Sequence, residues 1–169
     1  MAGDKYPNRN LIRNWITGTR KHKHNNLVLI SHRGNIDGVD EAQENTPSYI
    51  QAALKKGFAV ACDVIAAHGA FLLPTQSGYQ PLPYALLSNP QMWFLATDGI
   101  TLDALCAVNA HAVPVSAPVA LTSVHYLWCM PGADLTTRAI AVFPEYAEAG
   151  WLESAEPAGV CSNEISRYL

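Results

Sequence analysis

The sequence predicts a single α/β domain of parallel β/α units, closed into a barrel or left as an open sheet, and short of some outer helices. Three observations point there. Short aliphatic runs alternate with helically spaced apolar residues early in the chain, giving strand, helix, strand, helix. Later strand-like runs follow one another with little helix between them. The length, 169 residues, fits one domain with a substantial core, whereas a full barrel of such units takes about 250 residues, so any barrel here is reduced.

The elements follow in order. Residues 27–31 (LVLIS) read as a strand buried on both faces, and a polar loop, 34–45, follows it. Thr46-Pro47 predicts a helix start, with Thr at the N-cap and Pro at the first helical position. Tyr49, Ile50, Ala53 and Leu54 recur at helical spacing, and Gly57 fits the C-terminal cap. Residues 58–65 (FAVACDVI) predict a second strand, His68-Gly69 a turn, and 70–73 a short extended piece. A single helical turn is expected at 84–89, a strand at 92–96, a helix at 101–109 and a strand at 112–115. Three more strands are expected at 124–130, 139–143 and 159–161.

Composition excludes several classes. Apolar residues make up 49% of the chain and charged ones 15%, too apolar for a disordered protein. The apolar runs are far too short to span a bilayer. The formal charge of −3 divides unevenly. Residues 1–23 carry Lys5, Arg9, Arg13, Arg20, Lys21 and Lys23 against Asp4, a charge of +5, and the rest of the chain carries −8. An acidic body does not suit nucleic acid, which demands clustered Lys and Arg. Residues 1–26 are therefore expected to be a flexible basic arm and 27–169 the folded domain. The arm has no apolar core of the secretory type. Cys62, Cys106, Cys129 and Cys161 form no CxxC pair and each lies in an apolar run, so buried free thiols and a cytoplasmic setting are expected.

In parallel β/α folds functional groups gather at the C-terminal ends of strands. His32-Arg33-Gly34 follows the first strand directly. Arg offers a planar fork for phosphate oxygens, and His moves a proton near neutral pH. Gly34 permits a close backbone approach or an unusual φ. By itself the tripeptide is more commonly a surface His-Arg pair. Glu44, just ahead of a helix N-cap, is a hard oxygen ligand or simply a carboxylate favoured by the helix dipole. Asp63 sits among Val60, Ala61, Cys62, Val64 and Ile65, and a carboxylate in a buried strand is costly unless paired, hydrogen-bonded or metal-bound. Together Glu44 and Asp63 suit Mg²⁺ or Ca²⁺. Asp98 and Asn163 follow the third and last predicted strands and are candidate substrate-binding residues. Trp93, Tyr126 and Trp128 are expected in the core. Of the other histidines, His22 and His24 fall in the arm, His68 in a turn, and His111 and His125 at strand starts, so none is well placed to join His32.

The stretch ISHRG…ENTPSYIQAALKKGFAVACDV resembles the opening of the glycerophosphodiester phosphodiesterase family, closely over residues 27–65 and more weakly through YLWCMPG and AGVCSNEI. The resemblance implies an abbreviated TIM-type β/α barrel. It also implies metal-dependent hydrolysis of a glycerophosphodiester or lipid-headgroup diester. On that resemblance His32 transfers a proton, Arg33 contacts the phosphate, and Glu44 and Asp63 bind the metal. The chain departs from the family pattern at Ala61, where a Glu is expected, at Thr75, in the stretch that should carry a second His, and at Thr97, where a basic residue is expected. Losing one acid/base group costs about 10²–10⁴ in rate, so weakened turnover is expected. The alternative is an inactive relative that binds phosphate or metal only.

Overall fold

A computed structural model describes residues 27–169; the basic arm, with His22 and His24, lies outside them. Strand β1 (Val28–His32) is followed by α1 (Pro47–Lys55) and β2 (Ala59–Asp63). Helix α1 starts as its sequence predicts: Thr46 Oγ1 accepts the Tyr49 N–H at 3.4 Å, Pro47 takes the first position, and Gly57 follows the cap with φ +93°.

The run predicted as one long second strand breaks at Val64. Strands β3 (Ile65–Ala67), β4 (Ala70–Thr75) and β5 (Gly78–Pro81) form a separate antiparallel three-stranded sheet. The β3–β4 turn is His68-Gly69, with φ of +52° and +75°, the two left-handed residues that a type I′ hairpin requires. Helix α2 (Tyr84–Leu87), β6 (Met92–Ala96), α3 (Gly99–Ala107) and β7 (Ala112–Pro114) come next. The chain then runs through β8 (Val119–Leu121), β9 (Leu127–Cys129), β10 (Ala139–Val142) and β11 (Gly159–Ser162). Among the described residues only short 3₁₀ turns separate these last strands.

The main sheet has eight strands in the order β7-β6-β2-β1-β11-β10-β9-β8, parallel throughout except that β8 runs antiparallel to β9. Strand β8 was not foreseen, and the strand expected at 124–130 shortens to Leu127–Cys129. His125, expected at its start, instead occupies the β8–β9 turn with φ +66°. The sheet curls until its edges nearly meet. Trp93 of β6 and Trp128 of β9 are not neighbours in strand order, yet their ring centroids lie 6.1 Å apart. At the seam, Ser123 bridges the edges: its N–H donates to Ala112 O at 2.9 Å and its Oγ accepts the Ala112 N–H at 2.8 Å.

Alternation along the strands separates two cores. Ala59 and Ala61 of β2 point inward with Ile30, Trp93, Trp128, Ile140 and Cys161 to fill the barrel. Val60 and Cys62 point outward, where Ile50 and Ala53 of α1 and Leu105 of α3 cover them. Trp93 and Trp128 are thus core residues, as expected. Three cysteines are buried free thiols, and Cys106, expected to be buried, is exposed on α3. The result is a mixed α/β, nearly closed eight-stranded barrel with few helices. No helix among the described residues is long and apolar enough to cross a membrane.

Candidate functional site

Strands β1 and β2 are paired in parallel with His32 opposite Ala61, so their C-terminal ends open on the same pole of the barrel. His32 is the last residue of β1 and Asp63 the last of β2. Arg33 then turns sharply, with φ +56°, and Gly34 continues at φ +91°. A Cβ on Gly34 would come within 2.7 Å of Tyr49 Cδ1 and 3.1 Å of the Tyr49 backbone, so the first loop can lie against α1 only because residue 34 is glycine. Both readings of that glycine, unusual φ and close approach, hold.

The turn brings together the residues named from the sequence. Arg33 Nη1 donates to Glu44 Oε1 at 2.7 Å and Nη2 to Asp63 Oδ2 at 2.5 Å. One guanidinium therefore clasps two carboxylates from different elements. Beside it, His32 Nδ1 lies 2.9 Å from Asn163 Oδ1. The same oxygen accepts from Asn35 Nδ2 at 3.0 Å, and Asn35 Nδ2 also donates to Glu44 Oε2 at 3.1 Å. Because Asn163 presents its carbonyl oxygen, the imidazole carries its proton on Nδ1, which leaves Nε2 as the basic nitrogen. Burial first, and Arg33 after it, push the His32 pKa below its ordinary value, while the Asn163 hydrogen bond opposes them. At neutral pH His32 is an uncharged base.

Three residues without an assigned role in the sequence support this cluster. Asn35 joins Glu44 to Asn163. Asn45, buried at φ +64°, donates to Asp63 O (3.0 Å) and Pro74 O (2.8 Å) and accepts the Asp63 N–H (3.0 Å), so it pins β2 to the inserted sheet. Glu145 Oε1 accepts from Ser162 Oγ (3.0 Å) and the Asn163 N–H (3.1 Å), fixing the residue that holds His32. The only advance signal was Asn45's place in the Glu-Asn-Thr string. Arg33, Asn45 and Phe143 (φ +51°) are left-handed without being glycine, each at a cost of about 1–2 kcal/mol. They are three of the six such residues among the described ones; His68, Asn109 and His125 lie in turns elsewhere. The Phe143 ring meets His32 edge-on at 4.8 Å.

Asn163 therefore belongs to the cluster, as a positioning residue behind His32. Asp98 does not reach it: its carboxylate caps α3, accepting the Thr101 N–H and the Thr101 hydroxyl at 2.8 Å each. Those bonds hold the Asp98 carboxyl below its usual range. Ala61 is buried in the barrel opposite Trp93 in the adjacent strand. Thr75 donates to Gly78 O within the β4–β5 turn at 2.6 Å, and Thr97 is an exposed bend after β6.

A cleft of about 510 Å³ opens beside the cluster, with His32 and Asp63 on its wall. Carboxylate oxygens are the right chemistry for Mg²⁺ or Ca²⁺. Here, however, Glu44 and Asp63 converge on Arg33, and among the described residues no group of three or more His, Cys, Asp or Glu side chains comes together. As they stand, the residues do not fit a resident divalent metal. The clasp also leaves the pole acidic: two carboxylates face one guanidinium and a neutral imidazole. Scans against protein-family models, curated proteins and solved structures return no match to this chain.

Proposed function

We propose that this chain is a phosphodiester hydrolase of the glycerophosphodiester phosphodiesterase type, with a weakened reaction centre. The observation that carries the reading is the convergence of His32, Arg33, Glu44 and Asp63, named from the sequence, at the C-terminal pole of a barrel-like sheet and beside a cleft. In this reading the N–H groups of Arg33 not used by the two carboxylates steady the phosphate. His32 Nε2 takes a proton from the attacking hydroxyl or water, and the Asn163 contact holds the ring in that tautomer. Family members use a divalent metal, and Glu44 and Asp63 are the residues it would use; the arrangement of Arg33 gives that ion no open seat, and no step is assigned to it. An acidic pole repels an anionic diester, so zwitterionic diesters are the favoured substrates.

A second reading, binding without turnover, is favoured by Ala61, Thr75 and Thr97, which supply neither a carboxylate nor an acid/base nitrogen. One assay separates the two: hydrolysis across a glycerophosphodiester panel, with Mg²⁺ or Ca²⁺ titrated and His32→Ala in parallel. Slow turnover lost in His32→Ala is the expected result. Turnover equal in both proteins removes His32 from the chemistry, and none in either leaves the binding reading. Calorimetry with Ca²⁺ tests the clasp: Arg33→Ala is expected to bind the ion more tightly than the unaltered protein, and Asp63→Ala more weakly. Equal affinity in all three would place any bound ion elsewhere.

A further inference from the structure

The cleft wall is mostly apolar. Besides His32 and Asp63, Ser116 is the one polar lining residue, and the other nine are Leu, Val, Ala, Pro, Trp, Met or Phe. The strand order places this apolar part across the mouth from the charges. In the near-closed ring, β9 and β8 lie opposite β2 and β1, so Trp128 and Met130 face Asp63 and His32 over the opening. Val115 and Pro118, in the segment after β7, continue the wall. The wall is built rather than draped. The Met130 N–H donates to Pro118 O at 2.8 Å, and the Val115 N–H to Ala96 O at 3.1 Å.

A deacylated glycerophosphodiester presents hydroxyls and charges on every side. Against this wall those groups would lose water and find almost no donor or acceptor in return. An aliphatic chain loses nothing there. The volume, about 510 Å³, falls within the roughly 300–1,000 Å³ of small-molecule sites. We infer that the cleft takes a phosphodiester bearing one apolar chain, a lysophospholipid-like amphiphile, with the diester at His32 and the chain along Val115, Pro118, Trp128 and Met130. This deepens the phosphodiester reading and rests on it.

The test is calorimetric binding to the full chain of glycerophosphocholine and its butanoyl, hexanoyl and octanoyl monoesters, all below micelle formation. An octyl glucoside serves as the chain without a phosphate. Affinity is expected to rise roughly fourfold for each methylene that enters the cleft, and to level off once the wall is covered. Met130→Glu and, on the exposed rim, Ala117→Glu are expected to flatten that rise. Equal affinity across the choline series would overturn the inference and leave the phosphodiester reading standing. Octyl glucoside binding as tightly as the octanoyl ester would remove the diester from recognition, and no binding of any choline ligand would overturn both. A rise with chain length that survives both Glu variants would place the chain away from this wall.

Discussion

The two arcs of the barrel mouth are built by different means. On the β1–β2 arc, Arg33, Glu44, Asp63, Asn35, Asn45 and Asn163 are interlocked by hydrogen bonds, and the loop that carries them rests on α1 through Gly34 and Tyr49. On the β7–β10 arc the lining is apolar except for Ser116, and among the described residues no α-helix follows β7. A helix behind a strand lets a long polar loop be pinned from outside, so charged groups can be held in one geometry. Without that backing, the second arc is shaped by proline, aromatic packing and backbone bonds between loops. The difference teaches that the loop holding the charged groups is the one that rests on a helix, α1.

The sharpest way to break the contrast is to put a charge where the apolar interior begins. Ala61 has no exposed surface, and its strand neighbour is Trp93, which packs on Trp128. Ala61→Glu is expected to overpack the interior and bury an unpaired charge. We expect about 3–5 kcal/mol lost in chemical denaturation. A loss under about 1 kcal/mol would show that residue 61 still opens onto the cleft. Trp93 thus gives a physical reason why this position holds a small residue.

The same two arcs differ in how far the sequence disclosed them. Strand β1, helix α1, the body of β2 and the His68-Gly69 turn were legible because their signals are local, whereas the break at Val64 that starts the inserted sheet was not. The cluster was legible at Asp63 because a carboxylate within an apolar strand is conspicuous, and at His32, Arg33 and Glu44 through the motif resemblance rather than through any local pattern. Asn35 and Glu145 were not, since a neutral amide and a distant carboxylate acquire meaning only when folding sets them beside Asn163. Asp98 looked like a site residue and is a helix cap, because N-caps and strand-end ligands favour the same side chains. On the second arc β8 is three residues long and runs against its neighbour, a direction that no period-2 pattern encodes. The Val115–Pro118 wall comes from a loop, where periodicity carries no signal.

A smaller effect sharpens the comparison by placing one substitution on each arc. Gly34 and Gly132 have similar φ, +91° and +87°, but only Gly34 has a neighbour that a Cβ would strike. Gly34→Ala is expected to cost about 2–4 kcal/mol, strain plus displacement of Tyr49 and the loop. Gly132→Ala is expected to cost about 1 kcal/mol from strain alone. Denaturation midpoints of the two variants measure the difference, and equal losses would mean that the loop is not held by α1.

The smallest expected effect is electrostatic and lies in the pH dependence of stability. The His32 pKa is lowered in the folded protein from an ordinary value near 6.5, chiefly by burial and then by Arg33. As pH falls below about 6.5, the unfolded chain therefore takes up a proton before the folded one does, and acidification favours unfolding. Stability that is full above pH 6.5 should decline as pH drops toward the folded pKa and level off beneath it. His111, half-buried at the start of β7 and lowered by burial as well, adds to the same limb, so the two must be separated by substitution. His32→Gln is expected to remove part of the slope and His111→Gln the remainder, in denaturation series run from pH 8 to pH 5. A slope unchanged in His32→Gln would mean that the imidazole protonates as freely in the fold as out of it. The tuning of His32 toward the neutral form by its surroundings would then be removed from the account of the β1–β2 arc.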